Sequence, residues 1–506
     1  MSLAAISANA GSGIANIAGA LAVVGQNVAN ANTVGWTREV ATHESVTAEG
    51  VGMGVRSGPI GRATQPQMQA AALTQSATVA GAQVRSEALA GIDAAQGTTG
   101  GNDDLGSLLG AVQNQFIALA QDPSSATRQA AVVAAAVTFA AKVNAVAGAV
   151  GQARQAAQDD AVTQVAALNT SLARVGALSD QIVAAHATGQ NTADLENQRD
   201  AVVATVARIV PVRTATSANG TFVLISGGMS LPTHETTPFT VASAAIGPQV
   251  AYPGVVPAVM LGHADVTGQL GGGTLGAELA LRDATLPAAQ AGLDQFAQTI
   301  GIRFQQQGLR LFTNAAGGVP QSATLPTQSG YLGFAGVMQV NPAVIASPSL
   351  VRDGTDTIAG SATGASAFAI NPPGGPVGST TLISRILRQT FGAELQPGVA
   401  QSNPATTGLG ANGALTLPYS PPATLGLFAS SLVGSMSADT AQASSDFKDA
   451  QALGSTLDGK LQAAGGVSID TEMSTMVTLQ NAYAANAKVL GAVQSLWSDL
   501  LAMVNR

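Results

Sequence analysis

Residue types that could carry out catalysis or hold a metal are few and scattered in this 506-residue sequence. The chain has no cysteine, which excludes a thiol nucleophile, a cysteine-rich zinc site and a disulfide scaffold. His43, His186, His234 and His263 lie far apart, and none stands in a zinc-binding spacing on one helix. We therefore expect no catalytic residue, no metal ligand and no cofactor.

One glycine-rich motif has the spacing of a dinucleotide-binding turn. Gly271, Gly273 and Gly276 fit G-x-G-x-x-G and precede a predicted helix. The strand before them is weak and no strand–helix–strand unit surrounds them, so we interpret the motif as a turn that leads into a helix. A secreted enzyme or a dinucleotide-binding protein that uses the Gly271 turn stays open as an alternative from another functional class.

Two acidic segments have structural interpretations. Asp103 and Asp104 lie in a loop just before Leu105, where a carboxylate favours a helix N-terminus. The polar segment 194–200 contains Glu196 and Arg199 at a spacing of three residues, so these two side chains are expected to pair on a helix surface.

The charge and hydropathy of the chain exclude further classes. The chain has 29 acidic and 21 basic residues, a net charge of −8, and only 10% of its residues are charged. This composition argues against nucleic-acid binding, which needs clustered Lys and Arg. The most apolar stretch, 129–150, contains Thr138, Lys142 and Asn144, which predicts a buried helix rather than a membrane span. No charged residue precedes Arg38, so a signal peptide with a basic start is not expected.

Apolar residues at both chain ends repeat with the spacing of a coiled coil. The N-terminal repeat comprises Leu3, Ser7, Ala10, Ile14, Ile17, Leu21, Val24 and Val28. The C-terminal repeat comprises Ile469, Met476, Leu479, Tyr483, Asn486, Leu490, Val493, Trp497, Leu500 and Val504. We predict that the two helices pair and display the chain between them.

Two features qualify the terminal helices. The N-terminal helix contains Gly11, Gly13, Gly19 and Gly25, each of which costs up to about 1 kcal/mol relative to Ala. We therefore expect its helicity to depend on a partner. In the C-terminal repeat Asn486 is the polar member, and such a residue often fixes the register or the number of partners.

The middle of the chain alternates between segments with a helical pattern and segments rich in proline, glycine and threonine. Long helices are predicted over 66–209, with breaks near 97–104, 122–124 and 189–191. A turn at Asn219–Gly220 precedes a short strand over 221–226. Helix returns over 275–310 and 425–464, and the Pro/Gly/Thr-rich segment 312–422 between them is predicted to be β-rich. The fold class is therefore α+β and mainly α: an elongated multidomain rod with paired terminal coiled-coil helices, a helical middle domain and an inserted β-rich outer domain.

Several motifs resemble one protein family. The segment NVANANTVGWTR at 27–38 resembles the N-terminal signature that flagellar rod, hook and hook-associated proteins share, with Val34 and Trp36 in place of the usual proline and tyrosine. The pattern from ATG at 187–189 to QRD at 198–200 is more specific and resembles flagellar hook-associated protein 1, the hook–filament junction family. The segments GVSIDTEM at 466–473 and QNAY at 480–483 are similar to the same family, although Leu479 stands where a tyrosine is common.

The resemblance implies a domain organisation and a function. Residues 1–65 plus 466–506 would form the terminal domain. Residues 66–311 plus 423–465 would form a helical domain with a small β insertion near 219–268, and residues 312–422 a β-rich outer domain. The implied function is a structural, non-enzymatic adaptor of the extracellular bacterial flagellum, on which the filament assembles. The same-class alternative is a flagellar rod or hook subunit.

The resemblance also implies partners and assembly residues. The partners are further copies in a ring, the hook protein, the next hook-associated protein and an export chaperone on the C-terminal helix, with no nucleic acid and no membrane. Export would use the flagellar type III channel without a cleaved signal peptide. The residues expected to serve axial assembly are Ile14, Ile17, Leu21, Val24, Asn27, Val28, Asn30, Asn32, Gly35, Trp36, Met476, Leu479, Tyr483, Asn486, Leu490, Val493, Trp497 and Leu500.

Overall fold

Helices dominate the chain. The structure is a computed structural model that describes residues 2–33, 35–48, 51–98, 100–216, 222–234, 237–322 and 324–504. The helices in these ranges are α1 (Leu3–Ala29), α2 (Pro66–Gln96), α3 (Leu105–Gln121), α4 (Ala126–Ala187), α5 (Ala193–Ile209), α6 (Gly273–Ala280), α7 (Leu286–Gln306), α8 (Pro342–Ala346), α9 (Leu350–Asp353), α10 (Thr381–Arg385), α11 (Leu425–Gly465) and α12 (Ile469–Val504).

The strands are short and form small antiparallel sheets. They are β1 (Glu39–Val40), β2 (His43–Ala48), β3 (Val51–Ser57), β4 (Gly61–Arg62), β5 (Arg213–Thr216), β6 (Phe222–Ser226), β7 (Met229–Ser230), β8 (Phe239–Thr240), β9 (Met260–Leu261), β10 (Ala264–Asp265), β11 (Phe312–Thr313), β12 (Gln339–Val340), β13 (Glu394–Gln396) and β14 (Val399–Ala400). The prediction of a mainly helical α+β chain is confirmed.

The predicted helix breaks fall where turn residues and caps stand. Asp104 caps α3, because its Oδ1 accepts hydrogen bonds from the backbone N–H groups of Gly106 at 2.8 Å and Ser107 at 3.0 Å. The break at 122–124 separates α3 from α4, and the break at 189–191 separates α4 from α5. The predicted turn at Asn219–Gly220 lies outside the described residues.

The chain divides into two compact units, each built from separated segments. Unit 1 contains residues 1–80, 166–238 and 450–506, and unit 2 contains residues 81–165 and 239–449. Residues 312–422 belong to unit 2. The three-domain division stays a prediction.

In unit 1, the N-terminal helix packs against the C-terminal helix and against a hairpin. Helix α1 contacts α12 and strand β3, which pairs with β2. Ser12 Oγ accepts a hydrogen bond from the backbone N–H of Val55 at 3.2 Å, and Asn9 Nδ2 donates to the carbonyl oxygen of Gly52 at 3.3 Å. The glycine-containing helix therefore gains partners on more than one side, as its low intrinsic helicity requires.

Phenylalanines concentrate in the core of unit 2, although aromatic residues make up only 4% of the chain. The ring centroid of Phe304 lies 6.1 Å from that of Phe116, 5.5 Å from that of Phe312 and 5.8 Å from that of Phe391. These rings come from α3, α7, β11 and the residues after α10, and all are buried. One apolar core thus holds the helices of unit 2 together with the segment after α7.

The segment 312–422 is less regular than the predicted β-rich domain. Its described residues contain the two-stranded pairs β11–β12 and β13–β14 and the short helices α8, α9 and α10. Side chains replace sheet pairing there: the Asp294 carboxylate accepts from the backbone N–H groups of Gly333 at 2.7 Å and Ala335 at 2.9 Å, and Gln328 Oε1 accepts from that of Gly410 at 2.8 Å. The prolines and glycines of this segment correctly predicted that the helices end there. The predicted sheet is small because side chains form hydrogen bonds with backbone groups that would otherwise pair between strands.

By length and composition alone, α1 and α4 are apolar enough to cross a membrane. In α4, however, Val132, Val143 and Val146 are fully buried in the core of unit 2. A run of buried apolar residues is what a core helix needs, and it agrees with the buried helix predicted over 129–150.

Substitution of Phe304 tests the aromatic core. We expect Phe304→Ala to lower the free energy of unfolding by about 3–5 kcal/mol, because it removes three ring contacts and leaves a cavity. The exposed Ile117 on α3 offers a control, and Ile117→Ala should cost less than about 1 kcal/mol. Urea unfolding followed by far-ultraviolet circular dichroism measures both, and equal losses would contradict this description of the core.

Candidate functional site

The assembly residues predicted on α1 lie on its covered side, though not all equally deep. Val24 and Asn27 are buried, whereas Ile14, Ile17, Leu21 and Val28 are half-buried. Other buried positions of α1 are Ala10, Asn16, Ala20 and Val23. Most of the buried residues therefore lie one position before a residue of the predicted repeat. They are largely small or amide side chains, which allow neighbouring elements to approach α1 closely.

The two terminal helices run antiparallel. A Cβ atom placed on Gly13 would lie 3.2 Å from Asn486 Oδ1, and Asn27 Nδ2 donates to Glu472 Oε2 at 3.3 Å. Residues closer to the C-terminal end of α1 thus contact residues closer to the N-terminal end of α12. The predicted pairing of the chain ends is present.

Only part of the predicted C-terminal repeat is covered by this pairing. Val493 is buried, and Met476, Leu479, Asn486 and Leu490 are half-buried. Tyr483, Trp497 and Leu500 remain 42%, 49% and 48% exposed. One antiparallel partner therefore covers one side of α12 and leaves large apolar side chains of the same repeat in water.

The predicted signature residues form the turn that follows α1. Asn30 Nδ2 donates to the carbonyl oxygen of Gln26 at 3.1 Å, and its Oδ1 accepts from Thr33 Oγ1 at 3.2 Å. Asn32 is exposed, Trp36 is half-buried, and Gly35 has a φ of +83°, a conformation that favours glycine. Val34 lies outside the described residues.

Beyond this turn, polar side chains from five separate segments of unit 1 meet in what we call the terminal polar cluster. Its members are Asn27, Arg38, Glu39, Arg62, Glu196, Asn197, Asp200 and Glu472. The carboxamide of Asn27 forms two hydrogen bonds with the backbone of Glu39: Nδ2 donates to the carbonyl oxygen at 2.8 Å, and Oδ1 accepts from the N–H at 2.9 Å. Asn27 is fully buried, so the end of α1 is fixed to strand β1.

Glu472 brings the C-terminal helix into the cluster. Its Oε1 lies 2.5 Å from Arg38 Nε, and its Oε2 accepts the hydrogen bond from Asn27. The backbone N–H of Arg38 also donates to the carbonyl oxygen of Gly465 at 2.8 Å. A Cβ on Gly465 would lie 2.4 Å from the carbonyl oxygen of Ala63, which explains a glycine at the last position of α11.

Arg62 brings helix α5 into the cluster. Its Nε lies 2.8 Å from Glu196 Oε2, and its Nη1 lies 2.8 Å from Asp200 Oδ2 and 3.1 Å from Asn197 Oδ1. Asn197 Nδ2 in turn donates to the carbonyl oxygen of Thr37 at 3.1 Å. One guanidinium thus joins three side chains of α5 to the strand that follows the hairpin.

The pairing predicted between Glu196 and Arg199 is wrong. Glu196 pairs with Arg62, and Arg199 pairs with Asp200 at 2.9 Å and lies over the Phe222 ring at 3.9 Å. The local spacing allowed the helix-surface pair, but a tertiary partner with a half-buried guanidinium forms the stronger contact.

Glu39 is the least compensated carboxylate of the cluster. It is 1% exposed, its Oε1 accepts from Asn197 Nδ2 at 3.4 Å, and its Oε2 has no hydrogen-bond partner among the described residues. Burial raises the pKa of the Glu39 carboxyl, and the Asp194 and Glu196 carboxylates raise it further, whereas Arg62 opposes them. The cluster therefore holds elements together through paired charges and contains one buried carboxyl group with few hydrogen-bond partners.

The joining role of Glu39, Arg62 and Glu472 is not apparent from the sequence pattern. The signal for Glu472 was its position in the family-like segment GVSIDTEM, and Glu39 directly follows the N-terminal signature. Arg62 lies in a two-residue strand with no periodic signal, so nothing in the local sequence marks its partners.

The glycines of the G-x-G-x-x-G motif serve close packing in unit 2. A Cβ on Gly276 would lie 2.7 Å from the carbonyl carbon of Gly271, and a Cβ on Gly81 would lie 2.8 Å from the carbonyl oxygen of Gly273. The strands before this turn, β9 and β10, pair antiparallel and contain two residues each. These contacts explain the motif without a dinucleotide.

Comparison with known proteins relates both the helices and the C-terminus to flagellar proteins. The model of the flagellar hook-associated protein FlgK helical domain matches residues 92–318, and the model of the flagellar basal body rod FlgEFG protein C-terminal region matches residues 463–503. No curated protein matches the chain. The flagellar hook junction protein FlgK from Burkholderia pseudomallei is similar at 21% identity with a TM-score of 0.40, over 51% of this chain and 46% of that one. The chain thus spans less than half the length of this solved relative.

Both matching family models describe proteins of the bacterial flagellum, which defines the chain as a structural flagellar protein. Within that class, residues 92–318 match the helical domain of the flagellar hook-associated protein FlgK. The resemblance to the hook-associated family found at 187–200 is thereby confirmed.

Removal of Arg62 tests the terminal polar cluster. We expect Arg62→Ala to lower the free energy of unfolding of unit 1 by ~2 kcal/mol, because it leaves partly buried carboxylates without their partner. Both tryptophans, Trp36 and Trp497, lie in unit 1, so tryptophan fluorescence during urea unfolding reports on this unit. Arg56→Ala breaks an exposed pair with Glu44 and should change little, and a similar response of both variants would argue against a structural role of the cluster.

Substitution of Glu39 tests its raised pKa. Since the folded state binds this proton more tightly than the unfolded chain, the free energy of unfolding should fall as pH rises from the unfolded pKa through the folded pKa. Glu39→Gln should therefore reduce the loss of melting temperature that occurs as the pH rises above the usual pKa of a glutamate. Glu278, whose pKa burial and the Asp160 and Glu87 carboxylates raise to about 8, contributes equally in both proteins and cancels.

The control for this measurement is Glu44→Gln, at an exposed position on β2. This variant should retain the pH dependence of the unaltered protein. If Glu39→Gln also retains it in full, the carboxyl of Glu39 does not titrate as its burial implies.

Proposed function

We propose that the protein is an adaptor at the hook–filament junction, on which the flagellar filament assembles. The observation that carries this proposal is the match of residues 92–318 to the helical domain of a hook-associated protein. The match at residues 463–503 to rod proteins supports only the wider axial class. The proposal includes an inner domain of residues 1–65 plus 466–506, a helical domain and an outer domain over 312–422.

The exposed side of α12 supports a role in assembly. Trp497 and Leu500 are about half exposed, and Met503 is 73% exposed. Burying apolar surface is favourable by roughly 25 cal/mol per Å², so neighbouring subunits that cover these side chains would stabilise the helix pair. In this proposal further copies in a ring, the hook protein and the next hook-associated protein supply that cover.

The route to the cell exterior is part of the same proposal. The chain would pass through the flagellar type III channel without a cleaved signal peptide, and an export chaperone would bind the C-terminal helix before export. An extended apolar helix face needs such cover before assembly, because exposed patches of this kind lead to association. The absence of cysteine fits a chain that travels unfolded and must not cross-link.

Deletion of the coding sequence tests the function. A junction adaptor predicts intact hooks, no filaments and flagellin released into the medium. Loss of hooks would instead support the alternative that the protein is a rod or hook subunit. Immunogold labelling separates the two independently, because a junction protein marks only the distal end of the hook, whereas a hook subunit marks its whole length.

Substitution of Trp497 tests the role of the exposed apolar side chains. We expect Trp497→Asp to reduce the number of filaments per cell by about tenfold or more, since a charge in an apolar contact costs several kcal/mol. The amount of the protein secreted into the medium, measured in parallel, separates a defect in assembly from a defect in export. Ser498→Asp places the same charge at the next, exposed position and should leave filament number unchanged. Normal filament number in both strains would contradict a contact at Trp497.

A further inference from the structure

The register of α12 on α1 depends on contacts at two positions along the helix pair. At the first position Gly13 lies against Asn486, and at the second Asn27 and Arg38 contact Glu472. These contacts are about four turns apart on each helix. Between and beyond them the predicted repeat places similar apolar residues at equivalent positions, and such a pattern alone allows a helix to slip along its partner.

The sequence pattern predicts that Asn486 fixes this register. Its Nδ2 donates to the carbonyl oxygen of Ala482 at 3.0 Å, within its own helix. Gly13 opposite it has no side chain that could hold the amide. The amide therefore satisfies itself locally, and this hydrogen bond moves with the helix when the helix moves.

Glu472, in contrast, uses both oxygens on partners outside its helix. Oε1 contacts Arg38 Nε at 2.5 Å, and Oε2 accepts from Asn27 Nδ2 at 3.3 Å. The side chain is 1% exposed, although Ile469, Asp470 and Met473 around it are exposed. Displacement by one turn, about 5.4 Å, would break both contacts and leave a buried carboxylate without compensation, which is strongly unfavourable.

We propose that Glu472 is the positioning residue that fixes the antiparallel register of α12 on α1. The register decides where along the helix pair Tyr483, Trp497 and Leu500 are presented to neighbouring subunits. This consequence rests on the proposed function, but the register itself does not.

Disulfide cross-linking measures the register directly, because the natural chain has no cysteine. The pair Gly13→Cys with Asn486→Cys reports the observed register. The pairs Gly13→Cys with Ala482→Cys and Gly13→Cys with Leu490→Cys report displacement by about one turn in either direction. Each pair is placed in the otherwise unaltered full chain and in the Glu472→Ala, Glu472→Gln and Asp470→Asn backgrounds, and oxidised under identical conditions.

In the unaltered background and with Asp470→Asn, an exposed acid of the same helical turn, the observed-register pair should dominate. With Glu472→Ala the ratio of displaced to observed cross-links should rise by about tenfold or more. Glu472→Gln should give an intermediate ratio, since the amide keeps its shape but loses the charge. If Glu472→Ala prevents folding, Arg38→Met removes the same ion pair from the other side and should raise the ratio as well.

An unchanged ratio in the Glu472 and Arg38 variants, with α1 and α12 still cross-linking, would overturn the proposal. In cells, Glu472→Ala should reduce filament number while Asp470→Asn does not. Immunogold label along the whole hook would overturn the proposed function but would leave the cross-linking result valid.

Discussion

The structure of unit 1 depends on compensating charges that are withdrawn from water. Glu472 and Glu39 are almost fully buried, and Arg38 and Arg62 provide the nearby positive charge. Buried ion pairs add little net stability, but they penalise every arrangement in which one partner is missing. Chain ends that lie more than 400 residues apart in sequence therefore meet in one defined geometry. Contacts between small apolar side chains differ little in energy from one helix register to another, so they would not specify this geometry alone.

This division of labour suits a protein that is stabilised by its neighbours. Helix α1 is rich in glycine and alanine, so it approaches α12 closely but buries little apolar area per residue. The half of the α12 repeat that α1 leaves exposed would be covered by other subunits in the proposed assembly. Polar contacts at one end of the helix pair define geometry, and apolar surface along the remainder supplies the free energy of association.

Unit 2 follows a different physical plan. A dozen phenylalanines serve the whole chain, and many of them converge in one core between α3, α4, α7 and α11. The segment 312–422 wraps this core with little regular structure, because Asp294, Gln328 and other side chains accept or donate the hydrogen bonds that strands would otherwise form. The segment can be irregular because its backbone groups form hydrogen bonds with these side chains.

Most helices, their breaks and the family resemblance could be predicted from the sequence, because they depend on short-range signals. Heptad spacing marked α1 and α12, Asp104 marked the start of α3, and the segments around Asn27, Asp194 and Glu472 carried the family resemblance. The charge pairs became apparent only in the folded chain, where Arg62 pairs with Glu196 and Asp200 and Arg38 pairs with Glu472. Local spacing favoured Glu196 with Arg199, but pairing energy depends on burial and on partners distant in sequence. The same reason moved the expected register role from Asn486, whose amide is satisfied within its own helix, to Glu472, whose carboxylate is not.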